Sequence, residues 1–508
     1  MSRHLLASRS LPLLFAIILA TLVGEAAAHD FKWVTQGGGT SNDDGWAVAV
    51  DARGNSYVTG RFADTATFGR GDPHQTTLTA FGAGDAFVAK YTPDGKLAWV
   101  KQVGALGATN FEAAWGLGIA VDAEGRVVVT GLFEGAATFG YGEPGELVLT
   151  ARGRQDAFVA SYGRDGELRW ATRGGGGTSG DAGLGVALDA AGNAYVTGYF
   201  HSIGTFQSAT FDSVDGTSQE LFSRGAEDVF VAKYSRRGVL RWVKRAGSTR
   251  LNEGHAIAID PLGDLVVTGY FEGDATFGEG AREQVISAGG NGRDVFVAKY
   301  SPAGALRWVK HTVGSGSLSE GRGLAVDRHG NIRVTGQFRE TVTFGPGELH
   351  EVTLTARGTV HGFIANYDRR GNLSWARHAN VDGGEAWDIA LDAQGTSYVT
   401  GTLGGRATFG RGEPAETTLV PMFGVARGFL AAFDTDGQLL WAALGGGFAL
   451  AVDDRKTIYI VGGFSSSNIF NPEAVTFGLG DPDATTLTPQ ATDIFLMKFT
   501  QHRSRPER

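Results

Sequence analysis

The chain has 508 residues, a formal net charge of −9 and no cysteine. This acidic balance disfavours nucleic acid and anionic membranes as partners. The lack of cysteine excludes disulfides, thiolate metal ligands and cysteine nucleophiles. Glycine is abundant (78 residues) and proline scarce (13), and no proline-rich linker divides the chain.

The first 28 residues are predicted to be a secretory signal peptide. Arg3 and Arg9 give a basic start, residues 11–23 form an apolar run, and residues 26–28 are small enough for cleavage. The apolar run is too short to span a membrane as a helix, and no second long run follows it. We therefore expect an exported protein, periplasmic, secreted or at the cell surface, with no membrane span after signal removal.

A stretch that begins as Gly-Asn-Ser-Tyr-Val-Thr-Gly at residues 54–60 recurs seven times along the chain. The copies are centred on Val58, Val129, Val196, Val267, Val334, Val399 and Val461. Three other short segments recur with each copy, rich in the β-branched and aromatic residues that favour strands. We name the four segments a to d; in the first copy they are residues 47–51, 54–62, 85–91 and 97–100.

A four-segment unit that repeats every 66–72 residues without helical periodicity is typical of a β-propeller blade. Segment a carries alanine (Ala49), b glycine (Gly60), c phenylalanine (Phe87) and d tryptophan (Trp99), a size gradient that suits sheets crowded at an axis. The seventh copy has no segment d, and the mature N-terminus begins with one, at Trp33. The sequence therefore predicts an all-β, seven-bladed propeller over residues 29–500. Its blades are four-stranded, the N-terminal strand closes the last one, and residues 501–508 form a disordered tail.

The repeat also supports a resemblance to a known family. Asp-x-x-Gly-Asn-x-Tyr-Val-Thr-Gly at residues 51–60, Asp-Ala-Phe-Val-Ala-Lys-Tyr at residues 85–91 and a following Gly-x-Leu-x-Trp strand resemble the bacterial beta-propeller repeat family, with SBBP-type repeats. The resemblance covers nearly the whole mature chain and implies a propeller in an exported or surface protein. It implies no common activity and no site residues.

The connections differ in length between the two faces of the predicted propeller. The a–b and c–d turns are short and share one face, whereas the b–c and d–a connections are long and share the other. Long loops on a rigid scaffold are the usual place for binding. The b–c connection carries its own motif, residues 66–69 and 76–79, which predicts an extra hairpin with Phe68 plugging the end of the sheet.

An acidic residue precedes segment a in six copies. These residues are Asp44, Glu112, Asp181, Glu253, Glu320 and Glu385. Six carboxylates near one axis could bind a cation such as Ca²⁺, which prefers oxygen ligands. Alternatively, each carboxylate caps its own glycine-rich turn. No other cofactor is predicted.

Three tryptophans lie in the same d–a connections: Trp46, Trp115 and Trp387. An exposed indole suits sugar stacking or the anchoring of a protein partner. Alternatively, these rings plug the junctions between blades, as Leu184 and Phe448 would at the matching place.

Segment c supplies one further hypothesis, because Asp85 and Lys90 tend to vary together across the copies. Copies five and six lose both residues. We interpret this pattern as a structural ion pair between neighbouring blades.

The sequence contains no nucleophile elbow, phosphate-binding loop or paired histidines. We therefore predict no catalytic residues and expect an exported binding or interaction module for a glycan or a surface protein. Two alternatives stay open. One is a propeller enzyme, hydrolase or quinoprotein-like, with an axial-face site that includes Glu253 or Glu320; the other is a structural surface protein.

Overall fold

The computed structural model describes residues 29–106, 114–177, 180–201, 208–290, 292–316, 318–356, 358, 360–380, 383–421, 428–465, 475–477 and 483–501. The predicted signal peptide, Glu112 and residues 502–508 of the predicted tail lie outside these residues. The described chain is all-β apart from one 3-10 turn, Gly280–Arg282, which confirms the predicted class. No helix among these residues has the length and apolar character needed to cross a membrane.

The strands of the first three copies follow the predicted order. The N-terminal strand and copy one comprise β1 (His29–Gly39), β2 (Asp44–Val50), β3 (Ser56–Phe62), β4 (Thr65–Phe68), β5 (Thr76–Thr79), β6 (Asp85–Tyr91) and β7 (Leu97–Leu106). Copy two comprises β8 (Ala114–Val121), β9 (Val127–Phe139), β10 (Leu147–Tyr162) and β11 (Leu168–Gly175). Copy three comprises β12 (Ala182–Leu188), β13 (Ala194–His201), β14 (Ser208–Asp212), β15 (Ser218–Phe222), β16 (Glu227–Tyr234) and β17 (Leu240–Ala246).

The later copies repeat the same order of elements. Copy four comprises β18 (Asn252–Ile259), β19 (Leu265–Glu272), β20 (Asp274–Phe277), β21 (Gln284–Ser287), β22 (Arg293–Tyr300), β23 (Leu306–His311) and β24 (Val313–Gly314). Copy five comprises β25 (Ser319–Val326), β26 (Ile332–Phe338), β27 (Thr341–Phe344), β28 (Val352–Thr355), β29 (His361–Tyr367) and β30 (Leu373–His378). Copy six comprises β31 (Glu385–Leu391), β32 (Ser397–Thr402), β33 (Ala407–Phe409), β34 (Thr417–Leu419), β35 (Gly428–Phe433) and β36 (Leu439–Leu444). Copy seven comprises β37 (Ala449–Val452), β38 (Thr457–Ser465), β39 (Val475–Phe477), β40 (Thr485–Leu487) and β41 (Thr492–Gln501).

Segments a to d of each copy pair antiparallel in sequence order. The resulting four-stranded sets are β2-β3-β6-β7, β8-β9-β10-β11, β12-β13-β16-β17, β18-β19-β22-β23, β25-β26-β29-β30, β31-β32-β35-β36 and β37-β38-β41-β1. In the last set the N-terminal strand β1 takes the fourth place, and Gln36 lies opposite Phe495. Gln501, which the sequence assigned to the tail, is the last residue of β41 and pairs with His29.

The first strands of these sets contact one another in succession. The contacting pairs are β2 with β8, β8 with β12, β12 with β18, β18 with β25, β25 with β31, β31 with β37, and β37 with β2. The inner strands lie very close together, because a Cβ added to Gly118 or Gly185 would come within 3 Å of the neighbouring strand's backbone. Small residues therefore occupy the inner strands, as expected for a β-propeller-type fold.

The predicted b–c hairpin is present and links neighbouring copies. In copy one, β4 pairs with β5 and also with β1, where Gly37 lies opposite Phe68. In copy two, the hairpin end of β9 pairs in the same way with β7 of copy one. Phe68 is fully buried, and its ring centroid lies 4.9 Å from that of Phe87. The hairpins of copies three and five pair likewise with β11 and β24, whereas β20-β21, β33-β34 and β39-β40 form separate two-stranded sheets.

The predicted ion pair between neighbouring blades, formed by the segment c residues Asp85 and Lys90 and their equivalents, is wrong for copy one. The Asp85 carboxylate accepts hydrogen bonds from the backbone N–H groups of Phe81 and Ala105 at 2.9 and 3.0 Å. Lys90 Nζ donates to the backbone carbonyl of Arg164, in the next copy, at 3.1 Å. Lys90 does tie two copies together, but through a carbonyl oxygen.

Candidate functional site

The inner strands share a bulge near their first residues. The strand register shifts at Gly45/Ala47, Gly116/Gly118, Gly183/Gly185, Gly254/Ala256, Gly321/Gly323 and Ala386/Asp388. A bulge leaves one residue outside the ladder and redirects its side chain. Phe448 stands at the matching place of copy seven. We name the residues at these positions the inner ring: Trp46, Leu117, Leu184, His255, Arg322, Trp387 and Phe448, all half-buried.

One arc of this site is aromatic. The Trp46 ring is stacked on Phe448, with centroids 4.8 Å apart, and on Trp115, at 5.9 Å. Phe448 in turn meets Trp387 edge to face at 6.1 Å. The structure therefore brings the three predicted tryptophans into one group. Because both faces of Trp46 carry another ring, it is not an open stacking platform, and a ligand would meet the half-buried edges of the group.

An arginine stands at each end of the aromatic group. The Arg61 guanidinium lies 4.8 Å from the ring centroid of Trp115, and Arg322 lies 4.9 Å from that of Trp387. Such cation–π contacts hold the guanidinium groups over the ring faces. Arg61 also pairs with Asp44 at 3.5 Å. The aromatic arc thus ends in two cations that are themselves held by carboxylates.

Four of the six predicted acids share one register. Asp44, Glu253, Glu320 and Glu385 lie opposite the second-strand residues Arg61, Tyr270, Gln337 and Thr402, respectively. In copy two this position belongs to Trp115, opposite Leu132, and Glu112 lies outside the described residues. Among the described residues, no group of three or more His, Asp or Glu side chains is placed to hold a metal ion.

Asp181 does not belong to this register, which corrects the predicted ring of six. It precedes Ala182, the residue that matches Asp44, and it is almost fully buried. Its carboxylate accepts the backbone N–H groups of Gly176 and His201 at 3.0 and 2.8 Å. Burial raises the pKa of Asp181 well above its usual range, although these two hydrogen bonds oppose the shift. The turn-capping interpretation therefore describes this residue.

The opposite arc of the site is polar and centres on Glu253. Its carboxylate accepts a hydrogen bond from the Tyr270 hydroxyl at 2.6 Å and lies 3.0 Å from His255 Nε2. His255 Nδ1 lies 2.9 Å from the carbonyl oxygen of Gly321, in the next copy. Burial alone would raise the pKa of Glu253, but the contacts with His255, Tyr270 and Arg293 together outweigh burial and lower the pKa. Both ring nitrogens of His255 face oxygen atoms, which fixes the orientation of the imidazole between copies four and five.

Glu320 anchors the same arc from copy five. It is 1% exposed, pairs with both Arg293 and Arg322, and accepts a hydrogen bond from Gln337 Nε2 at 3.0 Å. Burial raises the pKa of Glu320, but Arg322, His255 and Arg293 together outweigh burial and lower it overall. The Arg293 guanidinium also lies 4.0 Å from the ring centroid of Tyr270. Arg293 therefore joins the carboxylates of copies four and five into one network.

Glu227 lies at the edge of this network. Burial, reinforced by repulsion from Glu253, raises the pKa of Glu227 to about 7. Its carboxylate lies 3.4 Å from His201 Nδ1. Two neighbouring glutamates thus have pKa values displaced in opposite directions.

Sequence reasoning missed His255, Arg322, Gln337, Arg293 and Glu227. One signal could have found the first two, because every inner-ring residue stands three positions before the repeated alanine of segment a, as Trp46 stands before Ala49. The other three lie on neighbouring strands and reach the site only through strand pairing.

Comparisons with known proteins leave the family open. No family model matches the chain. An uncharacterised WD repeat-containing protein of Acanthamoeba polyphaga mimivirus is 26% identical over 524 residues, a match that covers 86% of this chain and 36% of that protein. The chain therefore spans about a third of that relative.

Solved structures show weak similarity only. A gluconolactonase from Xanthomonas campestris is 14% identical, with 76% of this chain and 86% of that chain covered and a TM-score of 0.30. A calcium-binding protein, regucalcin, from Agrobacterium tumefaciens is 11% identical, with 77% and 92% covered and a TM-score of 0.30. A protein from Lactobacillus plantarum is 12% identical, with 79% and 88% covered and a TM-score of 0.35. Scores below 0.5 establish no shared fold.

Proposed function

We propose that the chain is an exported, seven-bladed β-propeller of SBBP-type repeats, closed by its N-terminal strand, that works as a binding module. Three observations support this architecture: the seven sequence copies, the contact of β37 with β2, and the pairing of β1 with β41. Closure in this way covers sheet edges that would otherwise be free to pair.

The proposed ligand-binding surface is the inner ring with its neighbouring carboxylates and arginines. The observation that carries this proposal is a contrast between positions. The framework positions keep their residue type from copy to copy, as the alanine of segment a and the phenylalanine of segment c do. The inner ring instead holds aromatic, aliphatic, basic and imidazole side chains. Because the framework folds the same way in each copy, packing alone does not dictate this variation, and binding of an asymmetric ligand would account for it. The ligand is a glycan or a surface protein.

A blocking substitution tests this surface. Trp46 and Trp387 show that the bulge position accepts an indole, so Leu184→Trp adds bulk to the inner ring without removing a contact. Leu262 lies in the a–b turn of copy four, is 76% exposed and makes Leu262→Trp a matched control. The purified protein is tested for capture of cell-wall polysaccharides and surface proteins at physiological salt, with and without EDTA. We expect Leu184→Trp to lose capture and Leu262→Trp to retain it; equal capture by both variants would exclude the inner ring as the surface.

A hydrolase is the second candidate function, because the pKa values of Glu227 and Glu253 lie apart as in an acid–base pair. In hydrolysis, protonated Glu227 would give its proton to the leaving oxygen. Ionised Glu253 would take a proton from the attacking water. Fluorogenic glycosides and esters test this candidate: turnover that Glu227→Gln abolishes supports it, and no turnover of either substrate class argues against it.

A further inference from the structure

We infer that the inner-ring site binds a neutral oligosaccharide, through polar atoms of Trp46, Arg322 and Gln337 that have no hydrogen-bond partner in the part of the chain that the structure describes. This inference rests on the proposed binding function and specifies its ligand.

Three buried polar atoms of the inner ring and its neighbours have no hydrogen-bond partner among the described residues. They are Trp46 Nε1, Arg322 Nε and Gln337 Oε1. Gln337 is 5% exposed, and its Nε2 is already used on Glu320. Buried polar atoms are nearly always paired in folded proteins, and a bound ligand would supply the missing partners of these three.

The chemistry of these atoms selects the ligand. Trp46 Nε1 and Arg322 Nε are donors and need an acceptor, whereas Gln337 Oε1 is an acceptor and needs a donor. A hydroxyl group both donates and accepts, so one polyhydroxylated ligand satisfies all three. An ammonium group could satisfy only Gln337, and a carboxylate only the two donors.

The surrounding charges argue against an ionic ligand of either sign. Arg293 and Arg322 repel a cation, while Glu253 and Glu320, both with lowered pKa values, repel an anion. Each of these charges already has a partner in the network. A neutral ligand therefore meets the unpaired atoms without disturbing a charge pair.

The spacing of the site favours a chain of sugars. Trp46 is joined to Arg322 through Phe448 and Trp387, in ring-to-ring and ring-to-guanidinium steps of 4.8, 6.1 and 4.9 Å. A single hydroxyl cannot reach both ends of this path. Consecutive sugars of an oligosaccharide present hydroxyl groups along their length and can therefore reach both ends.

Calorimetric titration of the full-length mature protein tests the inference. The neutral probes are hexasaccharides of glucose, mannose, xylose and N-acetylglucosamine. Hexamers of galacturonate and of glucosamine, and a lysine-rich peptide, represent anionic, cationic and protein ligands. We expect at least one neutral hexasaccharide to bind and the charged hexamers to bind at least tenfold more weakly.

Two conservative variants locate the contact. Trp46→Phe keeps the stacked ring but removes the N–H, and Arg322→Lys keeps the charge but removes Nε. Each is expected to weaken binding of the neutral hexasaccharide about tenfold, as loss of one hydrogen bond of roughly 1.4 kcal/mol predicts. Leu262→Ser on the opposite face serves as the control with unchanged affinity, and thermal melting confirms that each variant is folded.

The outcomes separate the two proposals. Binding of the lysine-rich peptide or the galacturonate hexamer, blocked by Leu184→Trp but without any neutral hexasaccharide bound, overturns the inference and leaves the binding function standing. Binding of a neutral hexasaccharide that neither Trp46→Phe nor Arg322→Lys weakens also overturns the inference. If no probe binds and Leu184→Trp changes no capture, both proposals fail.

Discussion

The indole nitrogen of Trp33 donates a hydrogen bond to the backbone carbonyl of Pro93 at 3.2 Å. Lys498 Nζ donates to the same oxygen at 2.8 Å. The arrangement recurs at Arg164, whose carbonyl receives Trp99 and Lys90, both at 3.1 Å. In each case one sheet contributes both donors, and the c–d turn of the next copy contributes the acceptor.

Loss of one indole donor should therefore weaken the contact of β1 with the first copy. We expect Trp33→Phe to lower the free energy of unfolding by about 1–2 kcal/mol, through the lost hydrogen bond and reduced packing. Urea unfolding followed by intrinsic fluorescence measures the effect. Lys32→Met is the control, because Lys32 is exposed and forms a surface ion pair with Asp30 at 3.4 Å. Equal stability of Trp33→Phe and the control would show that this hydrogen bond contributes nothing.

In copy five, a different residue donates a hydrogen bond to the equivalent carbonyl of the next copy. There Asn366 replaces the lysine of segment c, and Arg333 replaces the tyrosine of segment b. Arg333 donates to the Thr435 carbonyl at 3.1 Å, and Trp375 Nε1 donates to it at the same distance. Arg126 acts similarly in copy two, where it donates to the Arg236 carbonyl at 3.3 Å.

This exchange of residues predicts that changes at Arg333 and Asn366 are strongly coupled in their effect on the free energy of unfolding. Arg333→Tyr alone should destabilise the protein by about 1–3 kcal/mol, because it removes the buried hydrogen bond from Arg333 to Asn366 Oδ1 as well as one donor to the Thr435 carbonyl. Arg333→Tyr combined with Asn366→Lys restores the tyrosine–lysine pair of copy one and should recover most of that loss. A double-mutant cycle from urea unfolding gives the coupling energy. Additive losses would contradict the exchange.

The repeat made the strands, their order and the b–c hairpin predictable from the sequence. Recurrent alanine, glycine, phenylalanine and tryptophan positions fix a strand pattern that each copy confirms independently. Phe68 was recognised as a plug because its motif returns at a constant place in the b–c connection. These features depend on local pattern, which the sequence carries directly.

The candidate site was only partly predictable, for two physical reasons. A shift of one residue turns a strand side chain to the opposite face, so Asp181 was grouped with Glu253 although its carboxylate caps a turn. A bulge also changes which residues face the site, and Trp115 and Trp46 therefore occupy different registers. Contacts such as Glu320 with Arg293 join residues of different copies and follow only from the strand arrangement.

Phe68, which plugs the end of the sheet, is expected to contribute more to folding stability than an exposed aromatic residue of a b–c hairpin. Phe68 is fully buried against Phe62 and Phe87, with centroid distances of 6.3 and 4.9 Å. Phe68→Ala should cost about 3–5 kcal/mol of unfolding free energy, since it creates a cavity in a packed core. Phe222, 56% exposed on the hairpin of copy three, gives a matched control, and Phe222→Ala should change stability by less than about 0.5 kcal/mol. Similar losses for the two variants would show that the hairpin does not plug the sheet.

Glu227 should make stability fall as the pH rises toward neutrality. Its pKa rises from the ordinary value of 4.5 to about 7 in the folded protein, so the folded state binds this proton more tightly than the unfolded chain does. The resulting stabilisation is complete below about pH 4.5 and is lost as the pH rises through about 7. Glu227→Gln cannot ionise, and we expect it to be more stable than the unmodified protein at pH 8, by on the order of 1–3 kcal/mol, and similar to it at pH 4.

Thermal melting between pH 4 and pH 8 measures this difference. Glu220→Gln, at an exposed position of β15 in the same copy, should follow the profile of the unmodified protein. Asp43, whose pKa burial also raises to about 7, remains in both variants, so Glu227→Gln should flatten the profile without removing its slope. Parallel profiles for Glu227→Gln and Glu220→Gln would mean that Glu227 keeps its ordinary pKa in the folded protein. That result would also remove the acid–base argument for a hydrolase.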